Sequence, residues 1–184
     1  MKIIKLNAID STNSFLKELA QNSALKNGTI VVAKEQKKGR GQQEKNWISE
    51  PLKNLTTSVY FSNFDLKLSH QKYLNFAVSL ALFDVLSMHK VKDLSIKWPN
   101  DILSANKKIC GILIENTIKG RKINNSIIGI GLNVNQEKFP DSLKNVTSLI
   151  NITNKVFDLD ALLIEVMAKI KDKIQLISLK KYQD

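Results

Sequence analysis

The fold is decided by residues 107–135, which read KKICGILIENTIKGRKINNSIIGIGLNVN. Two runs rich in isoleucine, 107–117 and 123–135, flank the turn sequence KGRK at 119–122. β-branched runs on either side of a short turn that contains glycine are typical of a β-hairpin. We therefore expect residues 107–135 to form a pair of antiparallel strands.

The second strand of this hairpin has two unlike faces. Because side chains alternate along a strand, the even-numbered residues from 128 to 134 form an apolar face that belongs in the core. The odd-numbered face has Gly129 and Gly131, followed by Asn133. Glycine weakens a strand, so a flat ligand lying on bare backbone is one explanation, and a β-bulge or a close helix crossing is the other. The sequence leaves both open.

The first strand makes a similar pattern. By the same alternation the odd-numbered residues from Ile109 to Glu115 share a face. The hairpin then brings Gly111 beside one of the two glycines of the second strand. Lys108 is either a solvated side chain or a cation that neutralises a carboxylate or phosphate at this surface. Cys110 is expected to be a small buried hydrophobe, because no histidine is near it in the sequence.

The remaining elements follow from hydrophobic periodicity and from residues that start or end helices. Strands are predicted at 2–7, 29–33, 55–62 and 94–98, helices at 12–27, 74–86 and 159–177, and a polar loop at 36–49. This order predicts an α/β fold of the α+β kind, with one mixed sheet and helices packed on it.

Composition limits the class of protein. The chain has 184 residues, a formal net charge of +11 and one cysteine. This length predicts one domain, and one cysteine allows no disulfide framework, which fits a reducing cytoplasm. Arg40 and Arg121 are the only arginines among 28 basic residues, so surface charge is favoured over a nucleic-acid footprint. Neither a signal peptide nor an apolar stretch of membrane length is predicted.

Three further segments are candidates for ligand contacts. Residues 36–47, QKKGRGQQEKNW, offer backbone N–H groups and one guanidinium around GRG, which suits an anion or a polar heterocycle, and Trp47 suits a planar ring. Residues 10–13, DSTN, place hydroxyls and an amide at a helix start, where capping alone explains one of them. Residues 98–101, WPND, present an amide and a carboxylate that turn chemistry explains equally well.

Taken together, these segments resemble the biotin–protein ligases. The motifs DSTN, EQKKGRGQQEKNW, KWPNDI, KKICGILIE and GIGLNVN occur in that family's order over residues 10–135. The resemblance implies that residues 1–184 form a single catalytic domain with a largely antiparallel central sheet, the class II synthetase-like fold of biotin and lipoate ligases. It also implies no N-terminal DNA-binding domain, and a C-terminal small β-barrel that is absent or truncated.

The resemblance implies residue roles as well. Lys108 and Arg40 would be the catalytic cations. Biotin would be bound by Ser11, Thr12, Asn13, Gln36, Arg40, Gly41, Gln42, Lys108, Gly111, Ile112 and Leu113. ATP would be bound by Trp47, Lys97, Asn100, Asp101, Gly131 and Asn133.

The implied activity has two steps, namely activation of biotin by ATP to biotinyl-5′-AMP and transfer of biotin to a lysine of a biotin carboxyl carrier protein. ATP and biotin would be the substrates, with Mg²⁺ held mainly by the ATP phosphates instead of by a protein metal site. The expected location is cytoplasmic, with neither DNA nor a membrane as partner. A homodimer is compatible with this fold.

Gln42 departs from the family, whose loop often continues after GRG with further arginine. An amide supplies no fixed cation at the mixed anhydride. We therefore expect the activated intermediate to be bound less tightly than in a relative that has arginine here.

Two other functions compete with this interpretation. Lipoate ligases and octanoyltransferases have a related fold, and the transferases use a cysteine, for which Cys110 would be the candidate. The GRG loop favours biotin. A non-enzymatic basic binding protein ranks third, because Arg40 and Lys108 are both present.

Overall fold

Seven strands form one sheet in the computed structural model, which describes residues 2–62 and 66–179. In chain order they are β1 (Ile3–Ile9), β2 (Thr29–Gln36), β3 (Leu55–Ser62), β4 (Leu94–Lys97), β5 (Asp101–Ser104), β6 (Lys107–Lys119) and β7 (Lys122–Leu132). Across the sheet the order is β1-β2-β3-β7-β6-β5-β4. β1 and β2 are parallel, and the other neighbouring pairs are antiparallel. The predicted mixed, largely antiparallel sheet is confirmed.

The hairpin of β6 and β7 lies inside this sheet, as predicted from its sequence. Gly120 in the turn has φ +61°, a conformation that glycine adopts without strain. Gly111 lies opposite Gly131, and Leu113 lies opposite Gly129. A surface poor in side chains therefore crosses β6 and β7, and we call Gly111, Gly129 and Gly131 the glycine strip.

One extra residue in β6 changes the face on which Lys108 lies. Ile102 of β5 pairs with Cys110, whereas the next residue of β5 pairs with Lys108 and skips Ile109. This β-bulge interrupts the alternation, so Ile109 is fully buried in the same core as Cys110. The prediction that Ile109 shares a face with Gly111 is wrong. Lys108 lies on that face instead, and its Nζ would be 3.2 Å from a β-carbon at Gly111.

Helices cover the two faces of the sheet unequally. α2 (Lys72–Met88) and α4 (Leu159–Ser178) pack over the main core, which includes the apolar face of β7. α1 (Thr12–Asn22) covers part of the opposite face, where Leu16 belongs to a small separate core. Within the described ranges, no helix has the length and the apolar run needed to cross a membrane. The glycine strip lies on the face of α1.

α1 is shorter than predicted. It ends at Asn22 instead of near residue 27, because the hydroxyl and the backbone N–H of Ser23 both donate to the carbonyl of Leu19. Gly28, predicted to end the helix, has φ +77° in the turn before β2. The residues between α1 and β2 therefore form a connection that brings the chain to the start of the strand.

Two short elements were not predicted. β5 follows the WPN turn and forms a hairpin with β4, in which Lys97 pairs with Asp101. α3 (Leu149–Thr153) begins at Ser148, whose Oγ accepts a hydrogen bond from the backbone N–H of Asn151. Four and five residues are too few for hydrophobic periodicity to show.

We predict that Leu82→Ala lowers the free energy of unfolding by about 2–5 kcal/mol, the usual cost of a cavity at a fully buried leucine, since Leu82 is 0% exposed in α2. Leu80→Ala makes the same chemical change on the same helix at a side chain that is 44% exposed, and its effect should be within about 0.5 kcal/mol. Urea unfolding of both variants measures the difference. Equal losses would contradict the packing described above.

Candidate active site

The N-terminus of α1 presents buried polar groups to the sheet. Ser11 is the N-cap, and its Oγ accepts from the backbone N–H of Ser14 at 3.4 Å. Thr12 and Asn13 follow in the first turn, and all three residues from Ser11 to Asn13 are 3% exposed. Capping explains Ser11. It does not explain a buried hydroxyl and a buried amide beside the sheet.

Short hydrogen bonds join the start of α1 to β2 and β3. Oε1 of Gln36 accepts from the backbone N–H of Thr12 at 2.8 Å and lies 3.0 Å from the hydroxyl of the same residue. Oγ of the fully buried Ser58 lies 2.7 Å from Thr12 Oγ1 and 2.5 Å from Asn13 Oδ1. Because an amide oxygen only accepts, Ser58 must donate to Asn13, and Thr12 then donates to Ser58 or to Gln36.

Glu115 of β6 connects these groups to the loop that follows β2. We call residues 37–47 the Arg40 loop. Oε2 of Glu115 accepts from Nδ2 of Asn13 at 2.8 Å, and its Oε1 lies 3.0 Å from Nη2 of Arg40. Nη1 of Arg40 lies 3.2 Å from Oγ of Ser14. The glutamate side chain is 22% exposed and the arginine side chain 45%, so this ion pair lies at the rim of the site.

A second ion pair lies beside the glycine strip. Nζ of Lys108 is 2.7 Å from Oδ1 of Asp101, and the two side chains are 35% and 19% exposed. The same Nζ is 5.7 Å from the centre of the Trp47 ring, a distance at which a cation is attracted to an aromatic face. Lys108 is therefore not a freely solvated lysine. A carboxylate and a ring fix its position.

The protein's own side chains cover the glycine strip. The indole of Trp47 lies against Gly111 and Gly131, and a β-carbon at Gly131 would overlap its ring. The amide of Asn13 lies against Gly129, where a β-carbon would also collide. Close approach of a helix, one of the two explanations left open, therefore accounts for Gly129. At Gly111 and Gly131 a flat group does lie on the backbone, as one of the two explanations expected, but this group is the indole of Trp47 and not a ligand.

One cavity of about 460 Å³ brings these elements together, and its volume lies within the usual range for a small-molecule site. The start of α1, the Arg40 loop, the glycine strip and the turn between β4 and β5 surround it. The predicted site residues that line it are Ser11, Thr12, Asn13, Gln36, Arg40, Gly41, Gln42, Trp47, Lys97, Asn100, Asp101, Lys108, Gly111, Ile112, Leu113 and Gly131.

Asn133 is the predicted site residue that does not line this cavity. Its side chain is buried, the residue is 1% exposed, and its Nδ2 donates to the carbonyl of Thr147 at 3.0 Å. β7 ends at Leu132, so the alternation that placed Asn133 on the face of Gly131 no longer applies. Asn133 fixes the segment after β7, and its predicted contact with ATP is not supported by this position.

The sequence pattern assigned no role to Ser58 or Glu115, although both carried a signal. Ser58 follows two threonines in the predicted strand LTTSVYFS, and Glu115 is a charged residue on the predicted face of Gly111. Thr57, Trp98 and Leu143 also line the cavity. Leu143 lies in the segment that follows β7. The sequence of this segment has no strand or helix pattern, so its path toward the cavity could not be predicted.

Cys110 lies on the opposite face of the sheet from the cavity. It is fully buried in the core under α2 and α4, as predicted for a small hydrophobe. Burial raises the pKa of its thiol well above the ordinary value, and the nearby charge of Lys108 only partly opposes this shift. A reactive thiolate at the cavity is therefore not part of this site.

Sequence comparison gives the same family over most of the chain. Residues 6–133 match the family model described as the biotin/lipoate A/B protein ligase family. The chain is 36% identical over 159 residues to the bifunctional ligase/repressor BirA of Bacillus spizizenii, covering 85% of this chain and 48% of that protein. It is 34% identical over 127 residues to the biotin–[acetyl-CoA-carboxylase] ligase of Paracoccus denitrificans, covering 68% and 51%. The chain thus spans about half the length of these curated relatives.

Structural comparison confirms the predicted fold. The biotin protein ligase of Aquifex aeolicus, solved in complex with biotin and ATP, superimposes with a TM-score of 0.82 at 31% sequence identity. The match covers 97% of this chain and 72% of that one. The catalytic fold of biotin protein ligases is therefore present over nearly the whole chain.

We predict that Gly131→Ala, made in a Trp98→Phe background, shifts the emission of Trp47 to longer wavelength. The new β-carbon takes the space of the indole, so the ring must move toward solvent. Gly129→Ala in the same background is the matched control, because its β-carbon meets Asn13 instead of Trp47. Fluorescence spectra of the two folded variants decide the matter, and an unshifted Gly131→Ala spectrum would refute the described position of the indole.

Proposed function

Since the chain belongs to the biotin/lipoate A/B protein ligase family, we propose that it activates biotin with ATP and transfers the biotinyl group to a lysine of a carrier protein. In the first step a carboxylate oxygen of biotin bonds to the α-phosphorus of ATP, and the bond to the bridging oxygen breaks, releasing pyrophosphate. In the second step the amine nitrogen of the lysine bonds to the acyl carbon and loses a proton, and AMP leaves with the electron pair of the broken C–O bond.

The convergence of Arg40 and Lys108 on one cavity carries this proposal. Two anions, a carboxylate and a phosphate, must approach each other in the first step. Fixed cations stabilise the charge that accumulates between them, and they do so best when they need no reorganisation. Glu115 and Asp101 already orient these two cations. The chemistry requires no covalent nucleophile from the protein, which agrees with the burial of Cys110.

We assign the ureido ring of biotin to the polar groups at the start of α1. A ureido group has two N–H donors and one carbonyl acceptor, and hydroxyls and amides match both kinds. Ser11, Thr12, Asn13 and Gln36 line this part of the cavity and supply them. The other biotin contacts that we propose are Arg40, Gly41, Gln42, Lys108, Gly111, Ile112 and Leu113.

We assign the nucleotide to the side of the cavity near Trp47 and the turn between β4 and β5. The indole offers a flat apolar surface beside the charge of Lys108. The proposed nucleotide contacts are Trp47, Lys97, Asn100, Asp101 and Gly131. Asn133 is left out because its amide bonds to Thr147.

Magnesium is proposed to arrive with the ATP phosphates. Over residues 2–62 and 66–179, no group of three or more His, Cys, Asp or Glu side chains could hold a metal ion. Mg²⁺ usually binds through substrate phosphates, water and one or two carboxylates. Asp101 is a carboxylate of the cavity that could contribute, and bound magnesium would neutralise part of the phosphate charge.

The carrier that we propose is the biotin carboxyl carrier domain of a biotin-dependent carboxylase, in line with the name of the Paracoccus denitrificans relative. A formal net charge of +11 favours the approach of ATP and of an acidic carrier surface. A cytoplasmic location, where ATP is available and a lone cysteine stays reduced, fits this role.

Lys108→Ala should lower biotin-dependent pyrophosphate release at least about 100-fold, which is the usual loss when a group that stabilises transition-state charge is removed. A coupled pyrophosphate assay with biotin and ATP measures this. Cys110→Ala is the control, since it changes a nearby residue of the same strand that faces the core, and its turnover should stay close to wild type. ATP-independent acyl transfer that Cys110→Ala abolishes would favour an octanoyltransferase instead.

Gln42→Arg should slow the release of biotinyl-AMP about tenfold, because one charge-assisted hydrogen bond of roughly 1.4 kcal/mol would be gained. Gln42 lines the cavity at the start of a short 3₁₀ turn, Gln42–Glu44. Gln175→Arg adds the same charge at an exposed position of α4 and should leave the rate unchanged. Release of labelled intermediate into excess unlabelled biotinyl-AMP gives both off-rates. An unchanged rate for Gln42→Arg would show that this position is not decisive.

A further inference from the structure

We propose that Glu115 is a positioning residue that fixes the amide of Asn13 and the guanidinium of Arg40 in one arrangement ready for the ligand. This inference rests on the proposed function. Asn13 and Arg40 line the cavity, whereas Glu115 does not and instead lines a shallow depression on the other side of the Arg40 loop residues. Its effect on the reaction therefore passes through these two partners.

The carboxylate of Glu115 has one oxygen directed at each partner. Oε2 accepts from Nδ2 of Asn13 at 2.8 Å, and Oε1 lies 3.0 Å from Nη2 of Arg40. Nη1 of the arginine lies 3.4 Å from Oε2, so the arginine faces both oxygens. The carboxylate of Glu115 on β6 therefore connects Asn13 at the start of α1 to Arg40 in the loop.

Hydrogen-bond chemistry makes Glu115 decide which way the Asn13 amide points. A carboxylate accepts only, so the NH₂ group of Asn13 must face Glu115. The oxygen of the same amide then faces Ser58, which donates to it at 2.5 Å. A second acceptor, the backbone carbonyl of Leu113, lies 3.4 Å from Nδ2 of Asn13. A glutamine at 115 could present either its oxygen or its NH₂ group, so that only the longer contact to Leu113 would still favour this orientation of Asn13. The pattern of donors and acceptors offered to the cavity therefore depends on this carboxylate.

The same carboxylate anchors the Arg40 loop to the sheet. The loop contains only a short 3₁₀ turn and an isolated bridge between Arg40 and Asn46. Glu115, in contrast, lies in the ladder of β6, opposite Ile127 of β7. Glu115, on a strand paired inside the sheet, thus holds the guanidinium of Arg40, whose backbone belongs to an irregular loop. Loss of the anchor should release the arginine and loosen the peptide bonds around it.

The first experiment needs no ligand. Arg40 and Arg121 are the two arginines of the chain, so an arginine-specific protease reports on two peptide bonds, and Arg121 in the β6–β7 turn serves as the internal reference. In Glu115→Gln, we expect cleavage after Arg40 to accelerate about tenfold relative to cleavage after Arg121, as expected when a charge-assisted contact that limits local opening is lost. Glu165→Gln is the matched control, because Glu165 on α4 also pairs with a side chain, its Oε2 lying 2.6 Å from Nε2 of His89 at the end of α2.

The second experiment measures biotin binding by calorimetry. We expect Glu115→Gln to raise the Kd for biotin about tenfold, the effect of one misoriented polar contact, while Glu165→Gln stays near wild type. A double-mutant cycle of Asn13→Ala and Arg40→Ala tests the coupling itself. Removal of Arg40 leaves Glu115 without its cation and already weakens the contribution of Asn13 to biotin binding. The losses of binding free energy caused by Asn13→Ala and Arg40→Ala should therefore be less than additive when Glu115 is present. In the Glu115→Gln background the two losses should be additive.

The thermal unfolding midpoints of all variants distinguish a misfolded protein from a folded protein with misplaced side chains. Glu115→Asp is a second variant, which keeps the negative charge on a shorter side chain. Its Kd for biotin is expected to lie between those of the wild type and Glu115→Gln. Unchanged cleavage after Arg40, an unchanged Kd, or coupling between Asn13 and Arg40 that persists in Glu115→Gln would each overturn the inference. Failure of the wild-type protein to bind biotin would overturn the proposed function instead, and the protease result alone would then decide whether Glu115 holds Arg40.

Discussion

The register between β6 and β7 is the constraint on which the site depends. Gly111 faces Gly131 across this pair, and Leu113 faces Gly129. Because side chains alternate, a slip of one residue would turn the glycines toward the main core and isoleucines toward α1. The space that the Trp47 indole occupies would then be filled. The apolar faces of both strands lie under α2 and α4, so the hydrophobic burial that stabilises the sheet also sets the geometry of the polar site.

The sequence predicted those parts of the fold that local alternation encodes, and the misses have a common cause. The bounds of β3 agree with the predicted strand, 55–62, which is rich in β-branched and aromatic residues and has seven buried residues out of eight. Ile109 and Asn133 were placed by the same rule, but β6 contains a bulge before the glycine and β7 ends before the asparagine. Both events depend on partners elsewhere in the chain, namely β5 and the segment around Thr147. The alternation of side chains along a single strand contains no information about contacts with residues that are distant in the sequence.

Two cations of the site are each paired with a carboxylate. Arg40 pairs with Glu115, and Lys108 pairs with Asp101. A partly buried cation without a partner would lose solvation without compensation, and each carboxylate offsets that cost while it restricts the orientation of the cation. An incoming carboxylate or phosphate must therefore compete with a fixed carboxylate as well as with water. An anion therefore gains less binding energy than two unpaired cations would provide, but both cations already stand in defined positions.

The position of the ring and the position of one cation are not independent, because the Arg40 loop folds back on itself. The backbone N–H of Trp47 donates to the carbonyl of Gly39 at 2.8 Å, and that of Gly41 donates to Lys45 at 2.6 Å. Trp47 thus pairs with the part of the loop that includes Arg40, which itself forms a bridge with Asn46. A planar ligand cannot reach the backbone of Gly131 while the indole lies on it, so the ligand must pack on the indole or displace it. Displacement would pull on the loop through Gly39 and disturb the arginine that Glu115 holds. Packing on the indole leaves every one of these contacts intact, and for that reason the geometry favours a planar ligand that stacks on Trp47 over one that replaces it.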